Sequence, residues 1–379
     1  MVKENLTSRS IRNNNSYNIL KALVEHEKLQ RSELTAYSNV SVITVKKIVD
    51  ELLAAGILEE TTVTSSIGRK PKELSFAQGL GCFCCINLCK TSQIGYFIYD
   101  IHTRLLSEGK VKVGRRSDFA GALDESISEI RKTAAEKLKL PLIGAAVSVP
   151  SIYYEEQDAV NCDLIPGLKD IHLKKLLSEA FGIQNIVIIH DVCAAASLEY
   201  QLADSDSLYY FYLGDGLGSA YVRYGEIFQG DSFAAGEIGQ CLADFNGAEQ
   251  SYERILSTTG LCEQLGVSNQ GELETLLLEY PKLPKAQMQA LKKILDFAAG
   301  MLYNICWLLN PGTIVVDSGL PVLAKLIQEA TQDKCRLLDG SPIRNSVKVT
   351  LPREKNHYAM TGCVILLVDQ WIEEVLAEA

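Results

Sequence analysis

The chain has 379 residues, 47% of them hydrophobic and 22% charged, a globular balance in a length that exceeds one hydrophobic core. No apolar run reaches the roughly 20 residues that span a bilayer, and the polar first residues hold no apolar signal core, so membrane and secreted classes are excluded and a cytoplasmic location is expected. The formal charge of −10 speaks against nucleic acid at first sight, but residues 1–80 carry 11 Lys and Arg against 9 Asp and Glu. The negative excess therefore lies wholly beyond them, and the N-terminal segment alone tolerates a phosphate backbone.

In chain order, Ile11, Ile19, Leu20, Leu23 and Val24 recur at near-helical spacing and predict a first helix from about Ile11 to Glu25. A short second helix follows, with Ser32 as its cap and Leu34 and Tyr37 facing inward. Asn39 suits a left-handed inter-helix turn, and Val40 packs into the corner. Ser41 caps a third helix whose stripe of Val45, Ile48, Val49, Leu52 and Leu53 is buried and which Gly56 ends. Its opposite face shows Val42, Thr44, Lys46 and Lys47. Beyond Gly56 the period changes: Ile57–Thr64 and Glu73–Phe76 read as strands around the turn Ser65–Pro71. Three helices and a hairpin with a basic tip make a winged helix-turn-helix. Its third helix would enter the major groove of duplex DNA, with Ser41, Val42, Thr44, Lys46 and Lys47 near the bases and Arg69 and Lys70 at the flanking backbone or minor groove; periodicity alone equally admits a three-helix protein-interaction module with a solvated basic loop.

Further along, Cys84–Tyr99 alternates as a hairpin, and Ile143–Val149 and Ile186–Ile189 are short apolar runs of buried strands. Ser207–Gly214 and Ala220–Val222 flank a glycine-rich turn. Ala286–Leu309 is a long helical pattern, Thr313–Val316 a strand, and Thr361–Ala377 a final apolar helix. Eleven cysteines, an odd number in a long chain, argue against a disulfide framework. Cys82, Cys84, Cys85 and Cys89 lack zinc-site spacing and read as small apolar residues of a strand.

The stretches Arg31-Ser32-Glu33-Leu34, Ser41 with Thr44-Val45, Glu51-Leu52 with Gly56, and Gly68-Arg69-Lys70-Pro71 resemble the DNA-binding head of regulators in the ROK family (repressor, open reading frame, kinase), including the xylose-repressor type. The remainder resembles that family in order and at compatible spacing. The resemblance implies an α/β fold: residues 1–78 as a winged helix-turn-helix, then 79–379 as a two-lobed, ribonuclease-H-like domain of the actin-type ATPase and sugar-kinase class. Lobe one would take about 79–190 plus the C-terminal helix, and lobe two about 191–360, with a ligand in the cleft between them.

Family kinases hold phosphates with glycine-rich turns, because backbone N–H groups approach where no Cβ stands. At the first such turn this chain has Asn87-Leu88-Cys89-Lys90-Thr91, without the Asp and both glycines. At the second, Gly214-Asp215-Gly216-Leu217-Gly218 sets a carboxylate against the phosphates. At the third, Asp317-Ser318-Gly319 replaces a triple glycine. The expectation is therefore a non-enzyme with no catalytic residues and no cofactor. The zinc site that the family carries is also expected to be absent: Gln240 stands where a His follows Gly236-Glu237-Ile238-Gly239, Asp244, Asn246, Gly247 and Ser251 stand in place of the cysteine loop, and Cys241 is isolated. No metal is expected.

The resemblance places Asp163, Asp191, Glu237, Gln240 and Glu253 at effector-binding positions, as groups that accept from and donate to sugar hydroxyls, with His190 as an orienting neighbour. Asp191 aligns with the general base of the family kinases. Ser148 and Ser151 replace glycines near the pocket. The reading is a transcriptional regulator, a repressor of carbohydrate-utilisation genes, whose partners are operator DNA and a sugar or sugar-phosphate effector, assembled as a homodimer or homotetramer. Two alternatives stand beside it: a sugar kinase with an accessory head, and a regulator with a vestigial cleft that answers to a protein partner.

Overall fold

In a computed structural model the structure describes residues 8–62, 72–114, 118–162, 165–336, 346–353 and 358–378. These fall into two compact units, one comprising the N-terminal part through Ile189 together with Cys363 onward, the other His190–Gly362.

The first unit opens with α1 (Ser8–His26), α2 (Arg31–Ser38) and α3 (Val42–Ala54), then β1 (Leu58–Thr62) and β2 (Lys72–Phe76), which pair antiparallel. Leu29 adds a bridge to β2, each residue donating its N–H to the other's carbonyl at 3.1 and 2.9 Å. Asn39 takes the left-handed conformation (φ 55°, ψ 31°) between α2 and α3, and Val40 is buried in the corner. Two expectations for α2 are corrected. Its N-cap is Gln30, not Ser32, and Glu33 closes a reciprocal capping box by accepting from the Gln30 N–H at 2.7 Å. Tyr37 is 57% exposed and stacks on His26 with ring centroids 4.0 Å apart. The residue that shares the inward face with Leu34 is Ser38, four positions on, whose hydroxyl donates to the Leu34 carbonyl.

The same unit continues with β3 (Cys82–Asn87), β4 (Gln93–Tyr99), β5 (Leu105–Lys112), α4 (Phe119–Lys132), β6 (Leu142–Val149), a small pair β7 (Tyr153–Tyr154) and β8 (Ala159–Val160), α5 (Leu173–Phe181) and β9 (Ile186–His190). The expected hairpin is β3–β4, and β5 extends it into a meander; β6 joins β3 in parallel, giving the order β5-β4-β3-β6-β9. Cys82, Cys84 and Cys85 are fully buried in β3 and lie in or beside the core. Burial pushes the Cys82 thiol up to about 12 and the other two higher, so they are inert packing groups.

The second unit holds α6 (Asp191–Leu202), β10 (Ser207–Leu213), β11 (Leu217–Arg223), β12 (Glu226–Ile227), the hairpin β13 (Leu242–Phe245) and β14 (Ala248–Ser251), α7 (Tyr252–Leu256), α8 (Thr258–Leu265), α9 (Gln270–Leu278), α10 (Lys285–Leu308), β15 (Thr313–Ser318), α11 (Pro321–Arg336) and β16 (Lys348–Thr350). Its sheet runs β12-β11-β10-β15-β16. That is the same arrangement as in the first unit, an antiparallel meander whose first strand takes a parallel neighbour. The last helix, α12 (Tyr358–Glu378), begins in the second unit and ends in the first. Its later turns tie the winged helix to the rest of the first unit: Lys21 pairs with Asp369 at 2.5 Å, and Trp371 packs edge-on against both Phe76 and Phe83. His102 and Arg104, beyond β4, reach the Val24 carbonyl (3.1 Å) and Glu27 (2.8 Å). No helix among the described residues is long and apolar enough to cross a membrane.

Candidate nucleic-acid interface and effector site

The sequence makes α3 amphipathic, and Val45, Ile48, Val49 and Leu52 are buried as their spacing requires. Ser41 sits extended at the N-cap. Its hydroxyl accepts from the Thr44 N–H at 3.3 Å and shares a hydrogen bond with the Thr44 hydroxyl at 2.8 Å. Thr44 is therefore half-buried and engaged in the cap. Val42, Ile43, Lys46 and Lys47 are exposed. Ile43, which the sequence reading passed over, is 84% exposed. Its signal was present as the first-turn position opposite the buried stripe.

Arg31 fixes the angle of this helix. Its guanidinium pairs with Asp50 on α3 at 2.8 Å and with Glu60 on β1 at 3.4 Å, so one side chain joins α2, α3 and the strand. Lys72 on β2 also bonds Glu60, and the two cations hold its carboxyl below the usual range, the Lys72 bond contributing most. Arg69 and Lys70 lie outside the described residues.

In the second unit, Gly236 takes φ 98°, and a Cβ there would stand 2.2 Å from the Ser219 carbonyl oxygen. Ser219 donates both its N–H (3.1 Å) and its hydroxyl (2.7 Å) to the Gly236 carbonyl. This close seam on β11 positions Glu237 at 3.8 Å from His190 Nδ1, while Asp191 at the start of α6 lies 3.4 Å from His190 Nε2. The imidazole thus stands between two carboxylates, each about one-third exposed. Both carboxylates also help raise the Cys193 thiol to about 12, after burial as the main cause.

Glu253 turns to the second glycine-rich turn and accepts from the Leu217 N–H at 3.3 Å, with Gly239 closely against it. Gln240 is exposed, and its backbone N–H donates to the Glu237 carbonyl at 3.1 Å. Of the five effector candidates, Asp191 and Glu237 meet around His190, Glu253 supports the neighbouring turn, and Asp163 lies outside the described residues.

In or beside each of the three phosphate-turn positions, two amides are engaged within the protein. In the first, Leu88 donates its N–H to the Ser148 carbonyl (2.9 Å) and Cys89 to Asn87 Oδ1 (2.9 Å). In the second, Gly214 donates to the Gly216 carbonyl (3.0 Å) and Leu217 to Glu253. In the third, Ser318 donates to Asp317 Oδ1 (2.7 Å) and Leu320 to the Ser318 hydroxyl (3.0 Å). A phosphate cradle needs such N–H groups unspent.

Where the resemblance places the family's zinc loop stands the hairpin β13–β14. Its two-residue turn, Asn246-Gly247, has positive φ at both residues, as a type I′ turn requires. Phe245 at its tip and Tyr252 after it pack on Phe297 at 4.9 and 4.8 Å. Among the described residues no group of three or more His, Cys, Asp and Glu is arranged to hold a metal ion.

Comparison with known proteins places these features in context. A profile of the ROK family matches residues 86–370. A protein named xylose repressor from Caldicellulosiruptor bescii is 21% identical over 389 residues, covering 93% of this chain and 95% of that one. A solved ROK family transcriptional regulator, described as a homologue of the E. coli MLC protein, superposes with TM-score 0.74 at 18% identity over 97% of this chain and 98% of that chain. A ROK hexokinase from Thermus thermophilus superposes with TM-score 0.59 at 19% identity over 74% of this chain and 96% of that chain.

Proposed function

The chain belongs to the ROK family, and from that premise we propose that it is a DNA-binding transcriptional repressor of carbohydrate-utilisation genes, answering to a sugar or sugar derivative and transferring no phosphoryl group. The observation that carries the reading is the recognition helix: α3 is capped by Ser41, braced by Arg31, and turns Val42, Ile43, Lys46 and Lys47 to solvent. The regulator of known structure matches nearly the whole chain, head included, whereas the hexokinase is almost fully covered by about three-quarters of it. The engaged Cys89, Leu217 and Ser318 amides and the missing glycines of the first turn support the absence of kinase activity.

On this reading a sugar donates hydroxyl hydrogens to Asp191 and Glu237, His190 orients both carboxylates, and Asp163, Gln240 and Glu253 complete the ring of polar groups. The protein assembles as a homodimer or homotetramer, so that two heads meet the half-sites of a two-fold operator. A sugar that binds one arrangement of the lobes better than another shifts their populations and with them the spacing of the heads. By linkage, operator DNA weakens an inducing sugar by the factor by which the sugar weakens DNA.

The test is a mobility-shift titration of the full-length protein on fragments from its own promoter region at low salt. Retardation is expected, with a steep salt dependence whose log–log slope drops by about 1 in Lys47→Ala if that lysine meets a phosphate. Failure to retard any fragment overturns the reading. The retained Asp191, beside His190 and Glu237, favours a kinase as the second reading. ADP release above background with a panel of hexoses and pentoses would establish it.

A further inference from the structure

We propose that α3 reads its operator chiefly through thymine methyl groups, with Ile43 as the central contact and Val42 beside it; this rests on the DNA-binding reading above. Ile43 is the most exposed large apolar side chain among the described residues, at 84%, and Val42 is 69% exposed. At about 100° per residue, Ile43 points directly away from the stripe of Val45, Ile48, Val49 and Leu52, and Lys47 follows it one turn later. The first turn of a recognition helix is where base edges are met.

Two polar alternatives on this helix are already engaged. The Thr44 hydroxyl is paired with Ser41, and the Asp50 carboxylate is held by Arg31 at 2.8 Å. The sequence of α3, VITVKKIVDELLA, contains no Asn or Gln to read adenine and no Arg to read guanine, which leaves Lys46 and Lys47 as its only base-reading donors. Its two lysines suit phosphates as point charges. The major groove offers one apolar group to such a surface, the C5-methyl of thymine. Val and Ile are stiff about χ1, so ordering them against a methyl costs little entropy.

The experiment selects duplexes from a random pool with the full-length protein, then replaces each thymine of a selected duplex singly by 2′-deoxyuridine, which removes only the methyl. One or two replacements per half-site are expected to raise Kd about fourfold each, the worth of one buried methyl-sized group. Ile43→Ala should raise Kd on the unmodified duplex by a similar factor and lose the sensitivity at its own thymine, a double-mutant cycle with matching thermal stability as the folding control. Selected duplexes whose Kd is unchanged by every replacement would overturn this inference and leave the repressor reading standing. A pool in which nothing is enriched would overturn both.

Discussion

The turns Asn87–Thr91 and Gly214–Gly218 stand at equivalent places in two sheets of the same strand order, yet they have diverged in opposite ways. The first has lost its glycines, and the incoming residues are integral to the core: Leu88 is fully buried, and the Cys89 sulfur lies 3.4 Å from the Ser148 hydroxyl. The second has kept its glycines, but for Gly214 and Gly218 close neighbours explain the retention without a nucleotide. A Cβ on Gly214 would stand 2.7 Å from the Tyr212 hydroxyl, and one on Gly218 would stand 2.6 Å from a Val192 methyl. A surviving glycine motif therefore records close packing as readily as phosphate binding.

The contrast can be broken most forcefully at the first turn. Leu88→Gly, which moves the sequence back toward a kinase, should destabilise the protein by about 4 kcal/mol in urea unfolding, because it removes a buried side chain and adds backbone freedom. It should restore no ADP release, since Asn87 still holds the Cys89 amide. Gly218→Ala should cost about 1–3 kcal/mol by overpacking against Val192. Because Val192 follows Asp191 in α6, the same variant should weaken any sugar detected by thermal shift; unchanged stability would remove the packing explanation for the glycine.

The smallest effect belongs to the third turn. Burial raises the Asp317 carboxyl above its usual range, although the Tyr210 hydroxyl and the Ser318 N–H, both donating to it, act in the opposite direction. A carboxyl whose folded value is raised contributes stability that is present at low pH and is lost as pH rises through the folded value. Asp317→Asn should therefore flatten the fall in stability from pH 4 toward neutrality, read as the difference in Tm between the variant and the parent. A parallel pair of curves would contradict the assigned shift.

Much of this was legible in the residues. The Ser41 cap, the buried stripe of α3, the left-handed Asn39 and the strands β6, β9, β10 and β15 all follow from local periodicity and turn chemistry, which act within a few residues. The start of α2 was misplaced because Ser32 and Gln30 both offer capping oxygens, and only the reciprocal bond with Glu33 decides between them. Tyr37 was turned the wrong way because helical spacing admitted it to the inner face, whereas its neighbour His26 gives its ring an outer partner. The strand β5 was missed, since its pattern is largely exposed and carries little apolar alternation.

By itself, then, the sequence determined most of the elements, the Ser41 cap and the family membership implied by ordered motifs. The tertiary structure decided what the side chains meet: Arg31 bridging Asp50 and Glu60, Glu237 carried to His190 by the close pass of Gly236, Glu253 accepting from the Leu217 amide, and the Cys89 and Ser318 amides claimed by Asn87 and Asp317. The reason is one of range. Propensity and capping are settled between residues a few positions apart, but a donor's partner across a fold is fixed only when distant strands and helices have packed.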